Sequence, residues 1–166
     1  MSRPQPLQRL PVGVVVERRR SKNPWVDFIW RPVAVLPDEP ETQPWTVLDE
    51  EDGATMFYAG AAAVELFASS SSFYRDNLAS GAPSLWVVLR PVEREGPFEI
   101  VTVTADPYEG EVFTQAGNDL VEAVAMPTTV RSAIEAFAAA HAVETPFFKR
   151  KRDAWDVSKT NRDDDE

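Results

Sequence analysis

Two runs of alternating side chains, separated by a short polar stretch, set the first step of the fold. In Val12 to Arg20, the residues Val12, Val14 and Val16 share one face of a β-strand, and Arg18 and Arg20 continue that face into solvent. In Trp25 to Leu36, Val26, Phe28, Trp30, Ala34 and Leu36 fall on one face, and Pro32 marks an edge, a bulge or a bend. The intervening Ser21-Lys22-Asn23-Pro24 is turn chemistry, so the two runs are expected to pair antiparallel. A chain that begins on such a hairpin commits its first apolar face to a sheet.

Prolines and carboxylates between 37 and 53 read as an exposed connection, with room for a short strand at Trp45 to Leu48. Thr55 to Phe67 is ambiguous, because Phe57 and Tyr58 favour a strand and the following alanines favour a helix; a strand is the reading adopted. The serine run 69–72 is expected to cap a helix from Phe73 to Leu78. Leu85 to Arg90 and Phe98 to Thr104 read as strands joined by a hairpin. Asp106-Pro107 and Gly117 bracket a helix over 107–116, and Pro127 stops a strand over Leu120 to Met126. Thr128 or Thr129 is expected to cap a last helix in which Val130, Ile134, Phe137 and His141 share a face. His141 reads there as a packed histidine.

These elements predict one α+β domain, a mostly antiparallel sheet of about five or six strands with a C-terminal helix packed on it. An N-terminal arm is expected over 1–10, the domain over 11–145 and a charged, mobile tail over 146–166. The element order does not match a doubly wound nucleotide fold.

The charge is laid out in blocks. Residues 1–31 carry net +5, residues 32–143 net −14 and residues 144–166 net −1, for −10 over the 166 residues. Two basic clusters, Arg18-Arg19-Arg20 and Lys149-Arg150-Lys151-Arg152, therefore flank an acidic body. They are either solvated ends or two halves of a site for an anionic group. So acidic a chain repels phosphate at long range, which argues against nucleic acid and anionic membrane as bulk partners. The absence of cysteine excludes thiolate metal sites and a cysteine nucleophile, and the single histidine excludes a multi-histidine metal site. No phosphate-binding glycine loop, HExxH or GxSxG motif occurs, and Glu109, Glu111 and Asp49 to Asp52 read as solvated surface. No catalytic residue, metal ligand or cofactor is assigned, and a non-enzymatic protein is expected. Trp25 and Trp30 are expected in or beside the core, with a cation–π or recognition role the alternative for Trp25. Trp155, on the polar tail, is a candidate docking aromatic or folds back on its own domain.

Four segments carry a resemblance: VGVVVERRRSKNPWVDFIWRPVAVLPD (12–38), NLASGAPSLWVVLRP (77–91), DPYEGEVFTQAGNDLVEAVAMP (106–127) and PFFKRKRD (146–153). Together they resemble a bacterial family of short proteins classed as a domain of unknown function. Members are often encoded close to genes for molybdenum-dependent formate dehydrogenase and its accessory factors. The resemblance implies a role in assembly or maturation of that enzyme, and it brings no assigned catalytic residues. With the charge map it gives the expectation of a cytoplasmic accessory protein whose partner is a formate dehydrogenase subunit or maturation factor. The candidate binding residues are Arg18, Arg19, Arg20, Trp25, Lys149, Arg150, Lys151, Arg152 and Trp155. The alternative is a module that holds a phosphate-bearing, nucleotide-like cofactor between the two basic clusters.

Overall fold

A computed structural model of the chain describes residues 5–93 and 96–142. Strand β1 (Gln8–Arg20) is flanked by β2 (Phe28–Leu36) and β4 (Ala54–Leu66), and β3 (Thr46–Glu51) completes an antiparallel sheet of order β2-β1-β4-β3. A second antiparallel sheet has β5 (Ser84–Pro91) between β6 (Phe98–Thr104) and β7 (Leu120–Ala125). The sheets meet along β4 against β6 and β2 against β7. Val12, Val14 and Val16 of β1 and Val64 and Leu66 of β4 share one core with Leu85, Val87 and Leu89 of β5. The α+β class with a C-terminal helix on the sheet is as expected, with seven strands in two sheets rather than five or six in one.

Helices α1 (Ser71–Ala79) and α3 (Thr128–Ala140) pack together, and Tyr74, Ile134 and Phe137 complete the same core. The His141 ring lies 4.4 Å from that of Phe137, a packed histidine as expected. Helix α2 (Pro107–Ala116) covers the other face of the second sheet. A glycine inside a helix costs about 1 kcal/mol against alanine, and here it is required: a Cβ at Gly110 would lie 2.4 Å from the Trp86 ring. Asp106 caps α2 by accepting from the Tyr108 and Glu109 amides, and Gly117 closes it in the left-handed region.

Several local expectations shift. β1 begins at Gln8, so residues 8–10 of the expected arm belong to the sheet. β2 begins at Phe28 and not at Trp25, because Asn23 holds a turn: its side chain accepts from the Trp25 amide and its carbonyl from that of Val26. Ser70 of the serine run stands at the cap position of α1, but its side chain makes no capping hydrogen bond. A 3-10 turn over Ala68–Ser70 leads into the helix, and the Ser71 hydroxyl donates to the Ala68 carbonyl. Neither threonine caps α3, since both are already helical and Pro127 stands at the cap position. Pro32 sits at a bulge: Val15 faces Ala34 and Val16 faces Pro32, leaving Val33 as the extra residue. A proline without an amide hydrogen is tolerated there, on an edge strand of the sheet.

Candidate functional site

Alternation along β1 separates the three arginines. Arg18 and Arg20 continue the inward face of Val12, Val14 and Val16, whereas Arg19 follows Gly13, Val15 and Glu17 on the other face. That other face is itself covered near Gly13 by Tyr58, Pro40 and the Asp38 carbonyl. Glu17 is consequently 5% exposed, and it is the group the sequence did not reveal. Its carboxylate accepts from Arg19 Nε at 3.3 Å and Nη2 at 3.4 Å, and Arg31 Nε stands 3.4 Å away. Arg31 is brought there by pairing of Glu17 with Arg31 across β1 and β2. The bond from Arg19 and the two positive charges hold the Glu17 carboxyl below its ordinary value against the opposing effect of burial. Arg19 is thus a partner of Glu17 and not a free cation beside Arg18.

On the inward side, Arg18 caps a cluster of aromatic rings where the two sheets part. Its guanidinium carbon lies 4.6 Å from the Phe28 ring centre, 5.2 Å from Phe57 and 5.7 Å from Trp30. Trp30 in turn contacts Trp45 at 6.2 Å, Phe57 at 5.7 Å and Phe98 at 5.6 Å. The cation–π alternative weighed for Trp25 is therefore realised at Arg18, against other rings. Trp30 packs beside the core as expected.

Trp25 does not enter the core. It is 90% exposed at the tip of the β1–β2 hairpin, next to Val26 and Ile29, which are 46% and 53% exposed. The alternating pattern begins at Trp25, but the Asn23 turn ends the pairing before Trp25 is reached. Arg20 and Phe28 form the last pair of the hairpin stem. Among the described residues neither Arg18 nor Arg20 forms a salt bridge. The shallow depression they line also carries Glu50 and Glu51 from the end of β3 and Asp52 from the β3–β4 turn. Those carboxylates, together with the ring contacts of Arg18, make this a poor clamp for a phosphate group.

Lys149, Arg150, Lys151, Arg152 and Trp155 lie outside the described residues, and of the rest of the expected set only Arg18 and Arg20 line one depression, which does not include Trp25. No group of three or more metal-ligating side chains occurs among the described residues. No described helix is long and apolar enough to cross a membrane. Glu109 is exposed, as expected, yet partial desolvation of its carboxyl, offset in part by the Thr104 side chain and reinforced by the charges of Asp106 and Glu65, holds it above its ordinary value.

In comparisons with known proteins, no curated protein and no solved structure matches the chain. The model of a family described as "Protein of unknown function (DUF3305)" matches residues 11–152.

Proposed function

The chain belongs to this family of proteins of unknown function, and from that premise we propose that it is a non-enzymatic accessory protein that docks on a protein partner through the tip of its first hairpin. The observation that carries this reading is the exposure of Trp25, Val26 and Ile29 on one hairpin, whose stem ends at the Arg20–Phe28 pair. A large aromatic ring left in water, with exposed aliphatic side chains on the same hairpin, has the composition of a binding hot spot. The formate dehydrogenase neighbourhood implied by the sequence resemblance makes a subunit or maturation factor of that enzyme the partner to test first. The cytoplasm is the compartment this reading requires. The phosphate-cofactor reading has less support, because Arg18 is engaged by rings, Arg19 by Glu17, and acidic side chains line the same depression.

The test is a tagged pull-down from the native host grown with formate and molybdate, comparing the natural sequence with Trp25→Ala/Ile29→Ala. A formate dehydrogenase subunit or maturation factor should be enriched by the former. The double variant should bind it at least about 30-fold more weakly, the loss of a hot spot worth about 2 kcal/mol. Equal capture by both proteins would remove the hairpin tip from the reading. Absence of any such partner would remove the maturation role.

A further inference from the structure

Arg9 and Glu65 pair at the opposite end of β1 and β4 from Arg18 and Thr55, about 30 Å away along an extended strand. There β4, β6, α1 and α2 enclose a groove of about 740 Å³. Its walls are apolar through Val103, Val112 and Phe113, and it also carries the carboxylates of Glu65, Asp106 and Glu109. Glu65 has Arg9 at 3.1 Å, but among the described residues no cation pairs with Asp106 or Glu109. Glu109 is exposed at the rim of the groove, and partial desolvation and the neighbouring charges of Asp106 and Glu65 hold its carboxyl above its ordinary value. An apolar side chain followed by positive charge would relieve both deficits.

The chain supplies that combination itself. Beyond Ala142 the sequence runs through Phe147 and Phe148 straight into Lys149-Arg150-Lys151-Arg152. The family match continues past the last described residue and stops at the end of this basic block. The start of the segment is close by: the His141 ring rests on Phe137, and Phe137 lies 6.0 Å from Tyr74, which lines the groove. Five residues from Ala142 to Phe147 can span up to about 17 Å.

We propose that the segment Phe147–Arg152 occupies this groove of its own chain, with its phenylalanines against Val112 and Phe113 and its cations on Asp106 and Glu109. The two basic clusters then serve different ends of the molecule and do not form one site. This inference is independent of docking at the hairpin tip, so its failure leaves that reading untouched.

The absence of cysteine makes the test direct. In the full chain, Val112→Cys/Phe148→Cys is compared with Val47→Cys/Phe148→Cys under mild oxidation, and the bridges are mapped by mass spectrometry. Val112 is 66% exposed, and Val47 lies on β3, which pairs with the end of β4 away from the groove. The expected result is a bridge between 112 and 148 within one chain, forming at least tenfold faster than that between 47 and 148. Equal rates overturn the proposal. A bridge between chains whose rate grows with concentration also overturns it, in favour of a second copy as the occupant. A second measurement leaves the groove side chains intact: replacing Lys149, Arg150, Lys151 and Arg152 with glutamate should speed hydrogen exchange at the Val112 and Phe113 amides at least fivefold, with α3 unchanged. Unchanged exchange in α2 overturns the proposal.

Discussion

At one end of the β1–β4 pair the Glu17 carboxylate is bracketed by the guanidinium groups of Arg19 and Arg31, whereas at the other the Glu109 carboxyl faces Asp106 and Glu65. Desolvation pushes both carboxyls upward, though Glu109 is the more exposed, yet Glu17 ends below its ordinary value and Glu109 above it. The sign of the neighbouring charge decides the outcome. The ends differ equally in their apolar groups. Rings at the hairpin end pack under Arg18 but leave Trp25 in water, and at the helix end Tyr74 is fully enclosed with its hydroxyl bonded to the Phe67 amide. One end is built to present side chains, the other to fix helices.

The contrast breaks most visibly at Asn77, which is 3% exposed and ties α1 to the second sheet. Its amide donates to the Ser84 and Ala105 carbonyls and its oxygen accepts from the Ser84 amide. Asn77→Ala leaves one buried and two half-buried backbone groups without their partner and should cost about 3 kcal/mol, read from the urea midpoint at constant m-value. At the hairpin end Trp30→Ala removes a half-buried ring and should cost about 2 kcal/mol by the same measurement, less than a fully buried tryptophan. Smaller again, Arg18→Ala should lose about 1 kcal/mol with its ring contacts, while Arg20→Ala stays within about 0.5 kcal/mol.

The finest comparison is in pH. Glu17 has a folded value below the ordinary 4.5, so its contribution is present above that pH and is lost as pH falls through the folded value. Glu109 has a folded value above 4.5, so its contribution is present below that pH and is lost as pH rises through the folded value. Glu17→Gln should therefore lower the melting temperature near neutrality and flatten the acid limb. Glu109→Gln should raise it near neutrality and leave it unchanged in acid. Melting curves across the acid-to-neutral range in which both variants shift in the same direction would show that the two ends are not electrostatically opposed.

Elements whose cause is local were legible in the sequence. Asp106, Pro107 and Gly117 delimit α2 by their own backbone chemistry, and the stripe Val130, Ile134, Phe137 identifies the buried face of α3. The features that were not legible depend on neighbours distant in the chain. Strand pairing places Arg31 opposite Glu17, and the turn fixed by Asn23, not hydropathy, decides that Trp25 is exposed. Alternation did indicate that Arg19 points away from Arg18 and Arg20, but a cluster seen as three adjacent letters obscured it. The long strand at Thr55 to Phe67 was recovered despite its alanines, because pairing with β1 along its length, and with β3 over Ala54 to Tyr58, outweighs helix propensity.

The central position of β1 also shapes how the chain is made. Its partner β4 pairs Leu66 with Gln8 and Ala54 with Arg19, so the second edge of β1 stays open until those later residues have left the ribosome. Contacts of such sequence separation form late, since a long loop must close before any pairing compensates the lost entropy. In that interval Val12-Gly13-Val14-Val15-Val16 is a β-prone, uncharged segment of the nascent polypeptide, flanked by Glu17 and the three arginines. Those charges then act as gatekeepers against self-association during synthesis, before any of them has its native neighbours.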